Sequence, residues 1–211
     1  MKNTARGTGP RGSAGRGVRR SGEGVDKPAA SAGGTDPGPV WQVEVANRQR
    51  RRAVDTRRLA GWARAVLSEL PGLERATLSV CLLGDRAMAE LNETFVGHSG
   101  PTDVITFDYA EGGGTGRAGV LAGEICMGVE EAVRQARRFR TDWSRELARY
   151  LIHGILHLRG YDDMSPESRR RMKREEDRLL RRLVRRAGRL SLRPGGRARR
   201  RAPLVERGTS S

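Results

Sequence analysis

His153-Gly154-Ile155-Leu156-His157-Leu158-Arg159-Gly160-Tyr161-Asp162-Asp163 holds two of the three histidines in the chain, four residues apart. On an α-helix, positions i and i+4 lie on one face, one turn apart, so two imidazoles placed there can share a metal ion. Gly160 comes three residues after His157 and can end the helix in a left-handed conformation that other residues resist. The chain then turns back, and Asp163 arrives ten residues after His153. The ligand spacing is that of H-E-x-x-H-x-x-G-x-x-H, with Gly154 in place of the glutamate and Asp163 in place of the third histidine. Carboxylate oxygen binds zinc at about the imidazole distance, roughly 2.0–2.2 Å. His153, His157 and Asp163 are therefore candidate ligands for one Zn²⁺ per chain, with Asp162 the alternative third ligand. A histidine pair on a half-buried helix is often structural. The glycine and the acid that follow it are what make a metal site the better reading.

The rest of the fold is read outward from this helix. Its own span is expected at about 142–158, after a helix at about 129–139 and before one at about 165–186, where Ser165-Pro166-Glu167 supplies a cap, a first-turn proline and an early acid. The last helix is mostly charged, with a thin apolar stripe of Met172, Leu179, Leu180, Leu183 and Val184. Upstream, strands are expected at 41–45, 76–83, 103–107 and 121–127, from alternating or continuous apolar runs. Helices are expected at 55–70, which Pro71-Gly72 stops, and at 85–95. The segment 111–117 is glycine-rich and is expected to be a mobile connection. Strands and helices without strict alternation, closing in a helical run, predict an α+β domain: a single, roughly four-stranded mixed sheet with helices packed on it and the metal site on a C-terminal helix.

The net charge of +16 is unevenly spread. Residues 1–39 carry +4, residues 40–180 only +2, and residues 181–211 carry +10. The domain is expected to span 40–186. The flanks, 1–39 and 187–211, are rich in Gly, Arg, Ser and Pro, too poor in apolar groups to offset their ordering entropy, and are expected to be disordered. Basic tails favour a polyanion, with RNA the natural candidate; a biased genome composition would give the same arginines. Cys81 and Cys126 show no metal spacing and are expected to be buried free thiols. The N-terminus lacks an apolar secretory core and no window is long enough to span a bilayer, so a cytoplasmic protein with no membrane partner is expected.

Residues 153–163 resemble the H-G-x-L-H-L-x-G-Y-D-H signature of the YbeY family of bacterial metal-dependent endoribonucleases. Leu91-Asn92-Glu93-Thr94-Phe95-Val96-Gly97-His98-Ser99-Gly100-Pro101-Thr102-Asp103-Val104-Ile105-Thr106-Phe107 resembles that family's L-N-x-x-Y-R-G-x-x-x-P-T-D-V-L-S-F segment, and Ala122-Gly123-Glu124-Ile125 its L-G-D-I strand. The likeness covers about residues 40–180. It implies the same α+β fold and cleavage of single-stranded RNA in 16S rRNA 3′-end maturation and ribosome quality control. The partners it implies are rRNA and ribosomal particles, not DNA. Two positions depart: Asp163 stands at the family's third histidine, and Val96 at an arginine thought to handle RNA.

Three protein ligands leave one tetrahedral position for water, as in catalytic rather than structural zinc sites. Zinc makes hydroxide available near neutral pH and polarises a phosphoryl oxygen. His153 and His157 would act catalytically through that ion, with Asp162 the first candidate for proton transfer and Asp103 a second. Either acid can instead serve structure, Asp103 as a turn cap and Asp162 as a partner that fixes a histidine tautomer. A zinc peptidase needs the glutamate that Gly154 replaces, which weighs against peptide hydrolysis. Arg159, next to Gly160 at the end of the site helix, is the candidate cation to replace the one missing at Val96, against the stronger reading of a solvated side chain, and His98 reads as a surface histidine. The alternative function is a non-catalytic, zinc-stabilised assembly factor that binds rRNA.

Overall fold

Apolar runs of period two become strands in the computed structural model, which describes residues 3–5, 40–110 and 119–194. The elements in order are β1 (Asn3–Ala5), β2 (Val40–Asn47), α1 (Thr56–Leu67), β3 (Arg75–Leu83), α2 (Asp85–Leu91), β4 (Val104–Asp108), β5 (Val120–Gly128), α3 (Val129–Arg138), α4 (Trp143–Leu158) and α5 (Pro166–Ala187). One turn of π-helix, Asn92–Val96, continues α2 and ends at Gly97 with φ +76°. The strand order is β1-β4-β5-β3-β2. β2, β3 and β5 run parallel, and β4 lies antiparallel to β5. This is the mixed α+β sheet the sequence predicts, with four main strands.

Alternation along the strands divides the core in two. Ala76, Leu78, Val80 and Leu82 of β3, with Leu121, Ile125 and Met127 of β5, meet α1, α4 and α5 in the main apolar cluster. Cys81, Leu83, Ile105 and Cys126 point to the other face, where Met88, Leu91, Val96 and Phe107 join them in a smaller cluster. α4 sits at the centre of the main layer and is buried almost all round, including Leu147, Leu151, Ile152, Ile155 and Leu156. Asp142 caps its start by accepting from Ser144 N at 2.8 Å.

Two features fall inside stretches expected to be unstructured. Asn3–Ala5 lies parallel to the edge strand β4, with Asn3 opposite Ile105 and Ala5 opposite Phe107. Strand addition is made by main-chain groups, so it needs no apolar side chains. At the other end, core contacts reach beyond residue 186, as far as Leu192. Gly188, at φ +66°, turns the chain after α5. Leu190 and Leu192 then enter the main core, at 7% and 0% exposed. Leu192 C=O accepts from Asp55 N at 2.8 Å, and Leu192 N donates to Ser144 Oγ at 3.0 Å. The physical reason is the alternation Leu190-Ser191-Leu192, two apolar side chains on one side of an extended segment within an otherwise arginine- and glycine-rich run. Residues 1–2, 6–39, 111–118 and 195–211, with the disorder and the mobile connection expected there, lie outside the described residues.

Candidate metal centre

α4 delivers both histidines and its C-terminal turn delivers the acid. His153 Nε2 and His157 Nε2 lie 2.9 Å apart, with the rings nearly perpendicular at 82°. A carboxylate oxygen of Asp163 completes a group whose ligand atoms all lie within 4.8 Å of one another. Asp162, the alternative third ligand, is outside this group: it is exposed, and its Oδ1 accepts from Met164 N at 3.1 Å, closing the loop into α5. Asp163 is tied through its main chain, where its carbonyl accepts from Arg169 Nε and Nη2 at 3.2 and 3.1 Å.

The partners of the remaining ring nitrogens decide the tautomers. His153 Nδ1 lies 2.6 Å from Glu176 Oε1, with both side chains buried. A carboxylate accepts, so this nitrogen carries the proton. His157 Nδ1 donates to the Tyr161 carbonyl at 3.0 Å. That carbonyl is placed by the turn that ends α4. Gly160, at φ +81°, donates its N–H to His157 C=O at 2.9 Å, and Tyr161 N donates to Leu156 C=O at 3.0 Å. This is the Schellman pair of bonds, which needs the left-handed residue that Gly160 supplies.

With both Nδ1 atoms donating, two Nε2 lone pairs face each other in a buried site. Only a shared proton or a cation relieves that repulsion. Burial holds the His157 imidazolium below its ordinary range, and the neighbouring His153 adds to this, while Asp163 and the Tyr161 carbonyl oppose it. The donor set of two neutral imidazoles and a carboxylate fits a divalent ion such as zinc. Two nitrogens on one tetrahedral zinc stand about 3.3 Å apart for bonds of roughly 2.0–2.1 Å, so the pair needs only a small opening.

Glu176 was not singled out by the sequence reading, although a signal was present. The buried stripe of α5 runs Met172, Glu176, Leu179, Leu180, Leu183, and an acid in an apolar stripe requires a buried partner. Gly154, expected to leave a base position vacant, does more than that. A Cβ there would stand 2.8 Å from Ile125 Cδ1 and Cγ2, so α4 rests directly on β5 and has no room for the glutamate of a peptidase. Gly123 plays the matching role beneath Leu158, whose Cδ2 an added Cβ would meet at 2.6 Å.

Other residues singled out from the sequence lie elsewhere. Asp103 Oδ1 accepts from Val104 N at 3.0 Å and from Thr102 Oγ1 at 3.2 Å, a turn cap. Arg159 Nη2 donates to the Pro71 carbonyl at 3.1 Å. Val96 is half-buried against the smaller apolar cluster. His98 is exposed and outside the ligand group.

A His–His–Asp trio at the end of a buried helix, on a mixed sheet, defines a candidate metal-binding protein of the α+β class. Residues 44–184 match the family model described as Endoribonuclease YbeY. Two curated proteins called Endoribonuclease YbeY show similar coverage. The one from Chlorobium phaeovibrioides is 42% identical over 131 residues, covering 62% of this chain and 84% of its own. The one from Chlorobium luteolum is 40% identical over 148 residues, 68% and 99% respectively. The chain belongs to the YbeY family. Its fold is similar to the solution structure of a Thermotoga maritima protein, with a TM-score of 0.52 at 24% identity, covering 74% of this chain and 100% of that one. No helix among the described residues is long and apolar enough to cross a membrane.

Proposed function

We propose that this chain is a zinc-dependent endoribonuclease of the cytoplasm that cuts single-stranded RNA during 16S rRNA 3′-end maturation and ribosome quality control. The reading rests on the trio His153, His157 and Asp163, set with both Nε2 lone pairs converging, in a chain whose relatives are called endoribonucleases. A bound divalent ion would supply water activation near neutral pH and polarisation of a phosphoryl oxygen. The protein's own contribution is positional. Glu176 and the Tyr161 carbonyl hold the imidazoles in the metal-binding tautomer, which keeps both Nδ1 protons away from the reacting groups. Asp162, whose Oδ1 accepts from Met164 N, is the acid assigned to proton transfer. The basic tails and the outer arginines of α5 hold rRNA and ribosomal particles by charge.

A non-catalytic assembly factor is the second reading, and one observation favours it. Val96 is packed into the smaller apolar cluster where the resembling segment carries a phosphate-handling arginine. A cleavage assay on single-stranded RNA with wild type, His157→Ala, Asp162→Asn and Val96→Arg separates the two. Metal-dependent cutting that His157→Ala abolishes establishes the enzyme. Wild type that binds RNA but never cuts it, with cutting gained in Val96→Arg, establishes the assembly factor. Activity in His157→Ala equal to wild type would remove the enzymatic claim.

A further inference from the structure

Residues adjacent in sequence look to opposite sides of the sheet. Ile125 lies under Gly154 and the metal helix, whereas Cys126 turns away from it into a separate cleft of about 600 Å³ on the reverse face. Cys81 opens into the same cleft, beside Arg48, Phe107, Tyr109 and Glu124. The two cysteines are direct partners in the parallel β3–β5 register. Neighbouring strands stand about 4.8 Å apart, inside the Cα separation that a disulfide spans.

We propose that Cys81 and Cys126 form a redox-responsive thiol pair, Cys81 the nucleophile toward peroxides and Cys126 the thiol that resolves its oxidised form. The roles are unequal because the surroundings are. Cys126 Sγ lies 3.9 Å from Glu124 Oε1, a carboxylate that favours the protonated thiol. Cys81 receives a hydrogen bond from Cys126 and has the Arg48 guanidinium near it. The hydrogen bond from Cys126 draws the Cys81 thiol below its ordinary range against the opposing effect of burial, with Arg48 helping. Donation to Cys81, burial and the Glu124 charge push Cys126 upward. Cys81 therefore ionises first and supplies the thiolate, the reactive form.

The chemistry balances with hydrogen peroxide as the oxidant. The Cys81 thiolate attacks one peroxide oxygen, the O–O bond breaks, and hydroxide leaves to be protonated to water. Sulfur is oxidised to sulfenic acid and peroxide is reduced. Cys126 sulfur then attacks Cys81 sulfur, the S–O bond breaks, and the Cys126 proton leaves with the hydroxide as a second water. A small-molecule dithiol reverses the bond. The metal trio contains no sulfur, so this chemistry is independent of the proposed function.

The test uses the full-length, metal-loaded protein. Iodoacetamide labelling of the native state, read by peptide mass spectrometry across neutral pH, is expected to modify Cys81 with a midpoint below that of an ordinary cysteine and far ahead of Cys126. Cys126→Ala removes the donor and raises that midpoint; Cys126→Ser keeps a hydroxyl donor and leaves it low. Hydrogen peroxide is expected to remove two hydrogens from the intact wild-type monomer, reversibly with dithiothreitol, and from neither variant. Cys81 that labels only when the protein is denatured, or a wild-type product that persistently gains an oxygen instead of losing two hydrogens, overturns the proposal.

Discussion

Replacing Glu176 tests whether a residue remote in sequence governs the candidate metal centre. The carboxylate sits 2.6 Å from His153 Nδ1 in a buried site, and its other oxygen is 3.4 Å from Lys173 Nζ. It fixes the ring orientation and raises the electron density at Nε2. Losing such a partner weakens metal binding by about 10–100-fold, roughly 1.4–2.7 kcal/mol. Glu176→Gln keeps an oxygen that can still accept from Nδ1, so its loss falls at the lower end. Glu176→Leu leaves a buried N–H without an acceptor, adding about 1–3 kcal/mol against the folded protein. Competition for zinc against a calibrated chelator measures the first effect, and a urea melt of the metal-free protein measures the second. Wild-type zinc affinity in Glu176→Leu would refute the reasoning, because the His153 tautomer would then be set by something other than this bond.

Metal-free protein is expected to lose stability as pH falls. The folded-state value of His157 is depressed below the ordinary imidazole value of about 6.5, so the unfolded chain binds more protons in the window between them. The contribution is present above the ordinary value and is lost as pH drops toward the depressed one; His157→Gln should flatten that part of a melting-temperature profile. Ending the chain at Ala187 removes Leu190 and Leu192 from the core, an expected loss of about 1.5–3 kcal/mol for each in a urea melt, whereas ending it at Pro194 should cost little. Arg170, Arg174, Arg181 and Arg185 share one exposed face of α5 and make no ion pair among the described residues. Changing all four to alanine should reduce the slope of log affinity for single-stranded RNA against log salt by up to about 2.8, at roughly 0.7 for each phosphate no longer neutralised.

Much of the architecture was legible because it rests on local periodicity. Runs such as 76–83 and 121–127 announced strands, and the glycine after His157 announced both the end of α4 and the return of an acid. What escaped notice was non-local. Glu176 meets His153 across 23 residues of sequence, and nothing in a helix stripe states which buried group an acid will face. Leu190 and Leu192 were concealed by their neighbours, because composition averaged over an arginine-rich tail hides a short alternating segment. Asn3–Ala5 pairs through its main chain, on which side-chain patterning is silent. Which of Asp162 and Asp163 sits beside the histidine pair depends on how the turn after Gly160 directs two consecutive carboxylates, a matter of backbone torsion rather than residue type.

The close seating of Gly154 on Ile125 bears on whether this centre could be transplanted. An eleven-residue cassette of 153–163 grafted onto another helix would carry three candidate ligands and the turn that fixes His157. It would lack the acid behind His153, which α5 supplies. It would also need a host strand that allows a bare helix backbone to come within side-chain contact, as Ile125 does beneath Gly154, and that leaves room for Leu158, as Gly123 does. A designer would have to copy a β-strand, a helix and a second helix together, making the smallest portable unit of this site a three-element module rather than a peptide.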